Sequence, residues 1–410
     1  MKYGLIGEKL GHSFSKAIHE RLGLEYELCE IAPDALDAFM REKNFLGISV
    51  TIPYKSAVIP YLDEIDEAAK SIGAVNTIVN RGGRLYGYNT DYYGMMDAIK
   101  REYIYTKDRK VAILGSGATS KTAKAVFEAL EAGEILTVSR GEKEGCITYD
   151  QLLSQHIDTE IIVNTTPVGT YPDSYGAPVE LMVFDNLSAI VDVVYNPLNT
   201  TMAQEARLGG VRVASGLYML VSQAVHAAEL FLDKKIEAET IDRIYEEVYK
   251  EKENIVLIGM PSCGKTTVGK IIAERMGRKF IDTDSIIEMR AGMTISDFFK
   301  KYGESKFREL ESEVILEAAK ETGAVIATGG GAALCKANRI ALEYSGKLYY
   351  IDRSVDNLVA TEDRPLSRSR EALEALYNER FMDYGSVCWL RINGDRTPDE
   401  VAEDIMEYYR

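Results

Sequence analysis

Short runs of β-branched and aliphatic residues alternate with stretches of helical periodicity along nearly the whole chain. The clearest runs are Gly47–Ile52, Lys110–Leu114, Glu160–Val163, Ala189–Val194 and Asn254–Ile258. They are short and rich in β-branched and aliphatic residues, as strands are. Helical patterns at 121–130 and 268–276 follow two of them, and strand–helix alternation predicts α/β layers around parallel sheets. A charged stretch, Glu246 to Glu253, precedes the strand at Asn254 and predicts a linker over 246–253, with a cut near Lys252. A softer boundary falls at Lys107–Arg109.

Composition narrows the classes. The formal charge of −16 argues against a surface built for nucleic acid or anionic membrane, so an anionic ligand must be captured by local cations. No apolar run approaches the ~20 residues of a membrane span. The first nine residues lack a signal-peptide core. The five cysteines lie far apart without a C-x-x-C pair, which disfavours zinc and a disulfide framework. The expectation is a cytoplasmic protein acting on small molecules, compatible with an oligomer.

Gly259-Met260-Pro261-Ser262-Cys263-Gly264-Lys265-Thr266 satisfies G-x-x-x-x-G-K-[ST], between a strand and a helix. Backbone N–H groups of such a loop close around phosphates. Lys265 neutralises the β/γ oxygens and the Thr266 hydroxyl suits Mg²⁺. A nucleotide-using phosphoryl transferase follows. Asp282 and Asp284 end the next strand on one side, fit for a water-mediated Mg²⁺ contact and for orienting a substrate hydroxyl. Phe307-Arg308-Glu309-Leu310-Glu311 offers a guanidinium for a carboxylate, and Thr328-Gly329-Gly330-Gly331 offers bare backbone for close approach. Arg364-Pro365-Leu366 opens an arginine-rich stretch, with Arg368 and Arg370, that reads as a mobile lid.

From Asn254 onward these elements, in this order, resemble the shikimate kinases. The resemblance implies an ATP site at Ser262, Cys263, Gly264, Lys265, Thr266 and Thr267, with Arg364 on the transferred phosphate and Arg396 at the adenine. It implies shikimate binding by Asp284, Arg308, Gly330 and Arg380, and Mg²⁺ held by Thr266 and, through water, Asp282. Catalysis would rest on Asp284, Lys265 and Arg364. Ser262 departs from the family's usual glycine.

Before the charged stretch, the strand Lys110–Leu114 runs into Gly115-Ser116-Gly117-Ala118-Thr119 and a helix, the context that makes a glycine turn a pyrophosphate site. The next strand ends in Ser139 and Arg140, with Lys143 nearby. An NAD enzyme tends to carry a carboxylate there, and these groups suit a 2′-phosphate, hence NADP. Farther upstream, Lys55 and Asp91 form a plausible proton-handling pair for a carbonyl/alcohol redox step.

His12-Ser13-Phe14-Ser15, Val50-Thr51-Ile52-Pro53-Tyr54-Lys55, Gly73-Ala74-Val75-Asn76-Thr77, Asn89-Thr90-Asp91, Asn196-Pro197-Leu198 and the segment from Gly216 to Gln223 together resemble shikimate dehydrogenase over about residues 1–242. The likeness implies that Ser13, Ser15, Thr51, Asn76, Asp91, Tyr195 and Gln223 bind shikimate, and that Lys55 is catalytic with Asp91. It implies that Gly115, Ser116, Gly117, Ala118, Thr119, Ser139, Arg140, Lys143 and Gly216 hold NADP. Ser49 replaces an asparagine, Ala118 a glycine, and Tyr88 and Tyr92 the small or acidic neighbours of Asn89-Thr90-Asp91.

The implied architecture is a dehydrogenase substrate-binding domain (1–106, completed by helices about 216–245), a Rossmann-like NADP domain (107–215) and a P-loop α/β kinase domain (254–410) with a central parallel sheet. The implied function is reduction of 3-dehydroshikimate to shikimate with NADPH, then phosphorylation of shikimate with ATP. Two other readings fit the same residues. In one, a quinate/shikimate dehydrogenase is fused to the kinase, against which Arg140 speaks. In the other, a ligand-sensing dehydrogenase-like half accompanies an active kinase.

Overall fold

The computed structural model describes residues 1–11, 13–171, 176–360 and 369–410. It divides into two compact units, Met1–Asn196 with Thr200–Val248, and Tyr249–Arg410 with Pro197–Asn199. The charged stretch at the sequence boundary is not an extended linker. Residues 246–252 complete the helix Glu239–Lys252, with Val248 buried on one face. Charges crowd the chain there because they occupy the solvated face of an amphipathic helix.

The first unit holds two sheets. One runs in the order Tyr26–Glu30, Tyr3–Gly7, Gly47–Val50, Thr77–Arg81, Arg84–Tyr88, Glu64–Ile65. Tyr3–Gly7 pairs parallel with both neighbours, whereas Thr77–Arg81 is antiparallel to both of its own. The hairpin turns at Gly82-Gly83, with φ of 62° and 88°, the left-handed pair that a two-residue turn of this twist requires. This sheet is therefore mixed rather than parallel. Its fully buried Ile6, Ile48, Ile78 and Leu85 form the centre of one core.

The second sheet is parallel throughout, in the order Arg212–Ser215, Ala189–Asp192, Ile161–Asn164, Lys110–Leu114, Glu134–Ser139, Ile147–Thr148. Strand order reverses between Lys110–Leu114 and Ile161–Asn164, and loops leaving the carboxyl ends on either side of such a point leave a crevice. Gly115 opens one of those loops at φ 109°, where a Cβ would stand 2.7 Å from Thr165 Oγ1. Only glycine fits both the conformation and the space.

The second unit has one parallel sheet, Phe280–Asp282, Val325–Ala327, Asn254–Ile258, Gly346–Asp352, Leu390–Asn393. Its central strand Asn254–Ile258 is buried along its full length and runs directly into the glycine loop. That strand, too, lies where strand order reverses. No helix among the described residues is long and apolar enough to cross a membrane.

Candidate active sites

In the first unit, Lys55 and Asp91 meet. Lys55 follows the strand Gly47–Val50, and Asp91 lies in the first turn of the helix Thr90–Arg101, capped by Asn89 through the Tyr92 N–H at 3.2 Å. Lys55 Nζ donates to Asp91 Oδ2 at 2.6 Å, with the side chains 15% and 12% exposed. The capped helix packs on Gly216–Leu232, and Gly94 permits the approach, since a Cβ there would lie 2.6 Å from Met219 O. Asp91 and Gln223 thus reach one cavity of about 460 Å³ from different helices.

Polar side chains converge on that cavity. Asn76 Oδ1 accepts from the Thr90 N–H (2.7 Å) and the Thr77 hydroxyl (3.1 Å), which leaves Nδ2 directed at Gln223 Oε1, 3.4 Å away. Gln223 Nε2 in turn donates to Leu220 O at 2.9 Å, so both amides are fixed in orientation. Ser13, Ser15, Thr51 and Tyr195 line the same space. Ser13 Oγ accepts from the Ser15 N–H at 3.2 Å, and burial holds the Tyr195 phenol above its ordinary pKa. Behind Ser15, His19 Nδ1 donates to Ser15 O (2.8 Å), and burial pushes the imidazole down to about 4, so it is neutral near pH 7.

Thr119 and Gly216 also line this cavity, Gly216 because any Cβ there would overlap the Val193 carbonyl. Thr170, Tyr171 and Met219, which sequence reasoning missed, belong to the same wall. Tyr88 and Tyr92 do not. Tyr88 packs on the core around Leu5 and Leu24, and Tyr92 stands edge-on to Tyr93. They do not narrow the pocket, because strand phase and helix phase turn them elsewhere. His12 lies outside the described residues.

At the glycine turn, Gly117 caps the helix Ala118–Ala129 with no side-chain hydrogen bond, so the first-turn N–H groups of Ala118 and Thr119 have no side-chain cap. Lys143 Nζ donates to Ser116 O (3.1 Å) and Ser116 Oγ (3.0 Å), bringing a cation over the turn. Ser139 Oγ donates to Gly141 O, and Arg140 is exposed at the end of the adjacent strand. Glycine at the crowded turn, an uncapped helix N-terminus and two cations fit a dinucleotide with an additional phosphate.

In the second unit, a cavity of about 550 Å³ gathers residues from five separated segments. Lys265 Nζ donates to Gly259 O (2.8 Å) and Met260 O (2.9 Å), held inside the loop by the left-handed turn at Gly264. Ser262, Gly264, Thr266 and Thr267 line the cavity, whereas Cys263 is buried beneath the loop and does not. Ser262 takes φ 66°, and its hydroxyl donates to Val359 O at 2.7 Å. Thr266 Oγ1 donates to Asp282 Oδ2 at 2.7 Å, and Asp282 Oδ1 accepts the Ser285 N–H at 3.2 Å. A hydroxyl and a carboxylate side by side are hard oxygen donors of the type Mg²⁺ takes, the remaining positions falling to water and phosphate.

Opposite lie Asp284, Arg308, Gly330 and Arg380. Arg308 NH1 donates to Glu311 Oε2 at 2.6 Å and NH2 to Glu304 Oε1 at 3.0 Å. Burial raises the Glu311 carboxyl pKa against the pull of Arg308. Gly330 O accepts from Arg380 NH1 (3.2 Å) and from the Tyr384 hydroxyl. Arg380 Nε is buried without a hydrogen-bond partner among the described residues, 3.9 Å from Glu379 Oε1. Glu311 lines the cavity but was not singled out in the sequence. Its place three residues after Arg308, one helical turn away, was the available signal.

Arg396 pairs with Asp404 outside the wall of this cavity. One expectation changes. Arg370 is not part of a mobile lid. It begins the helix Arg370–Val387 and is clamped by Asp356 (2.7 Å) and Glu374 (2.6 Å). Arg364 and Arg368 lie outside the described residues.

A family model described as shikimate dehydrogenase substrate binding domain matches residues 5–78, and one described as shikimate kinase matches 261–410. The shikimate dehydrogenase (NADP(+)) of Clostridium perfringens is 36% identical over 267 residues, covering 60% of this chain and 97% of that protein. That of Halothermothrix orenii is 40% identical over 266 residues, covering 57% and 91%. Among solved structures, shikimate dehydrogenase 1 from Peptoclostridium difficile matches with TM-score 0.56 and 37% identity, over 60% of this chain and 98% of that one. A chorismate mutase/shikimate 5-dehydrogenase fusion protein from Clostridium acetobutylicum matches with TM-score 0.56 and 36% identity, over 60% and 96%.

Proposed function

Because the chain belongs to the shikimate dehydrogenase family over its N-terminal part and carries a shikimate kinase domain after it, we propose the following division of labour. The first unit reduces 3-dehydroshikimate to shikimate with NADPH, and the second phosphorylates shikimate with ATP. The observation that carries the first half is the Lys55–Asp91 pair, 2.6 Å apart, in a cavity whose remaining polar lining is largely hydroxyl and amide.

NADPH supplies the hydride to the substrate carbonyl carbon. Lys55 donates a hydrogen bond to the carbonyl oxygen and stabilises the developing alkoxide before giving it a proton. Asp91 holds the ammonium in line. Ser13, Ser15, Thr51, Asn76, Tyr195 and Gln223 bind the carboxylate and hydroxyls of the ring. Gly115, Ser116, Gly117, Ala118, Thr119 and Gly216 form the dinucleotide cradle, and Ser139, Arg140 and Lys143 recognise the 2′-phosphate.

In the kinase, Arg308 and Arg380 take the substrate carboxylate and Gly330 packs against the ring. Asp284 accepts the proton of the attacking hydroxyl. Lys265 neutralises the phosphoryl oxygens as charge develops on them, joined by Arg364. Ser262, Cys263, Gly264 and Thr267 contribute loop N–H groups, and Arg396 attends the adenine. Mg²⁺, when bound, screens the phosphate charge, and Thr266 and Asp282 are the groups to hold it. Five unpaired cysteines suit the reducing cytoplasm.

The test is to follow NADPH oxidation with 3-dehydroshikimate and ADP release with shikimate on one preparation, repeating the first with NADH. Absence of either reaction overturns that half, and equal use of NADH overturns the cofactor assignment.

A further inference from the structure

The second unit has another cavity, of about 460 Å³, on the far side of the Thr266–Asp282 hydrogen bond from the phosphate loop. Thr266, Asp282 and Ser285 are walls of both cavities. Its floor is apolar and largely buried, built from Phe280, Ile281, Ile286, Val314 and Ala318. The rim carries Lys270, Lys279 and Arg290 against Glu317 and Glu321. Lys279 pairs with Glu321 at 2.7 Å, and Arg290 with Glu317. Asp282 turns one oxygen to the Thr266 hydroxyl and the other to the Ser285 N–H. Lys270 makes no ion pair or hydrogen bond among the described residues. With Asp282 the wall carries as many carboxylates as cations, and Lys270 is the rim cation without an ion-pair partner among the described residues, over an apolar floor. The volume falls within the range of roughly 300–1,000 Å³ that small-molecule sites occupy.

We propose that this cavity is a regulatory site for a small monocarboxylate with an apolar body of about one aromatic ring, its carboxylate held by Lys270 and its body on Phe280, Ile286 and Val314. Lys270 lies one helical turn after Thr266 on the same face of the helix Lys265–Met276. An anion fixed there adds negative charge directly behind the nucleotide phosphates and weakens ATP binding, an effect that salt screens. Nothing in the phosphoryl-transfer machinery needs Lys270 or the apolar floor, so occupancy tunes the kinase without replacing a catalytic group.

The experiment is calorimetric titration of the full chain, saturated with shikimate, using 3-phenylpropanoate as the probe and 3-phenylpropan-1-ol as its uncharged counterpart. Kinase kinetics are then recorded with and without the probe. Saturable binding of the acid is expected, weaker by about tenfold for the alcohol and for Lys270→Glu, where one charge-assisted contact is lost. Ala318→Leu fills the floor and should remove binding. Both variants should keep the parent's turnover without probe, which confirms that they fold. Bound probe should raise the KM for ATP and leave that for shikimate unchanged. Direct binding is read independently of activity, so the result stands apart from whether the kinase assignment holds. No binding at millimolar probe overturns the proposal. So does binding that both variants leave intact, competition by shikimate, or binding without a change in the KM for ATP.

Discussion

Gly329→Ala isolates the kinase half with a single methyl group. A Cβ at this position would stand 2.6 Å from Asp284 Oδ1 and 2.9 Å from Glu311 Oε1, and the backbone is not in the left-handed region, so the clash is the whole perturbation. Asp284 Oδ1 must retreat by about 0.8 Å to reach ordinary contact. Glu311 has little freedom to yield, being buried and bound to Arg308 at 2.6 Å, so the displacement falls mainly on Asp284. A shift of that size at a group aligned with the reacting hydroxyl costs about 10²-fold in turnover. Overpacking of this type also costs about 1–3 kcal/mol of local stability, which a melting curve registers separately. ADP release and NADP⁺ reduction by shikimate should be measured on the same preparation. Kinase kcat should fall by about two orders of magnitude while the dehydrogenase is untouched. Gly385→Ala is the control, since a Cβ there meets nothing within 4 Å and alanine favours the helix. Near-normal kinase turnover in a folded Gly329→Ala protein would refute the role of Asp284. A parallel loss of dehydrogenase activity would refute the locality of the effect.

Lys55→Ala should lower dehydrogenase turnover by about 10²–10⁴ with little change in shikimate affinity, and kinase activity on the same sample should persist. Near-normal turnover would mean that Lys55 only neutralises Asp91. Arg140→Ala should weaken NADPH binding by about 10- to 100-fold and NADH binding hardly at all, as measured by titration; equal losses would count against 2′-phosphate recognition. Ser262→Ala retains the φ 66° backbone and loses the bond to Val359 O, so it should lose about 1 kcal/mol in thermal melts. Ser262→Gly relieves the left-handed strain, worth about 1–2 kcal/mol, and should be the more stable of the two; the reverse order would show that the serine is not strained.

What could be read from the sequence was what is local along the chain. The glycine loop, the two aspartates after Phe280 and the glycine turn after Leu114 are fixed by spacing, and strands such as Lys110–Leu114 and Asn254–Ile258 coincide with their apolar runs. The errors came from geometry that spacing does not encode. Residues 246–253 looked like a linker because amphipathic helix and solvated coil share a composition until the buried Val248 is known. Arg370 looked like a lid residue because its partner Asp356 comes from a separate turn, while Glu374 is the next turn of a helix that the sequence did not announce. Thr170, Tyr171 and Met219 reach the first cavity from loops and a helix far from Lys55, and only the tertiary arrangement joins them to it. Tyr88 adjoins Asn89-Thr90-Asp91 in sequence, yet alternation along its strand turns it into the core around Leu5.

On the proposed assignments the same acid is recognised in two physically different ways. The dehydrogenase cavity meets it mainly with neutral donors, Ser13, Ser15, Thr51, Asn76 and Gln223, while Lys9 stands in its wall and Lys55 is committed to Asp91. The kinase cavity meets it with two guanidinium groups, Arg308 and Arg380, on a chain whose net charge is −16. The carboxylate draws charge-assisted hydrogen bonds from either set of donors, and guanidinium groups add ion pairing and a bidentate fork to them, so on these assignments it is held more firmly where the acid is consumed than where it is made. A loosely held product leaves the first site quickly, and a tightly held substrate is retained at the second at low concentration. That difference favours forward flux through free solution. No passage between the sites has to be invoked, because the asymmetry of two binding chemistries is sufficient.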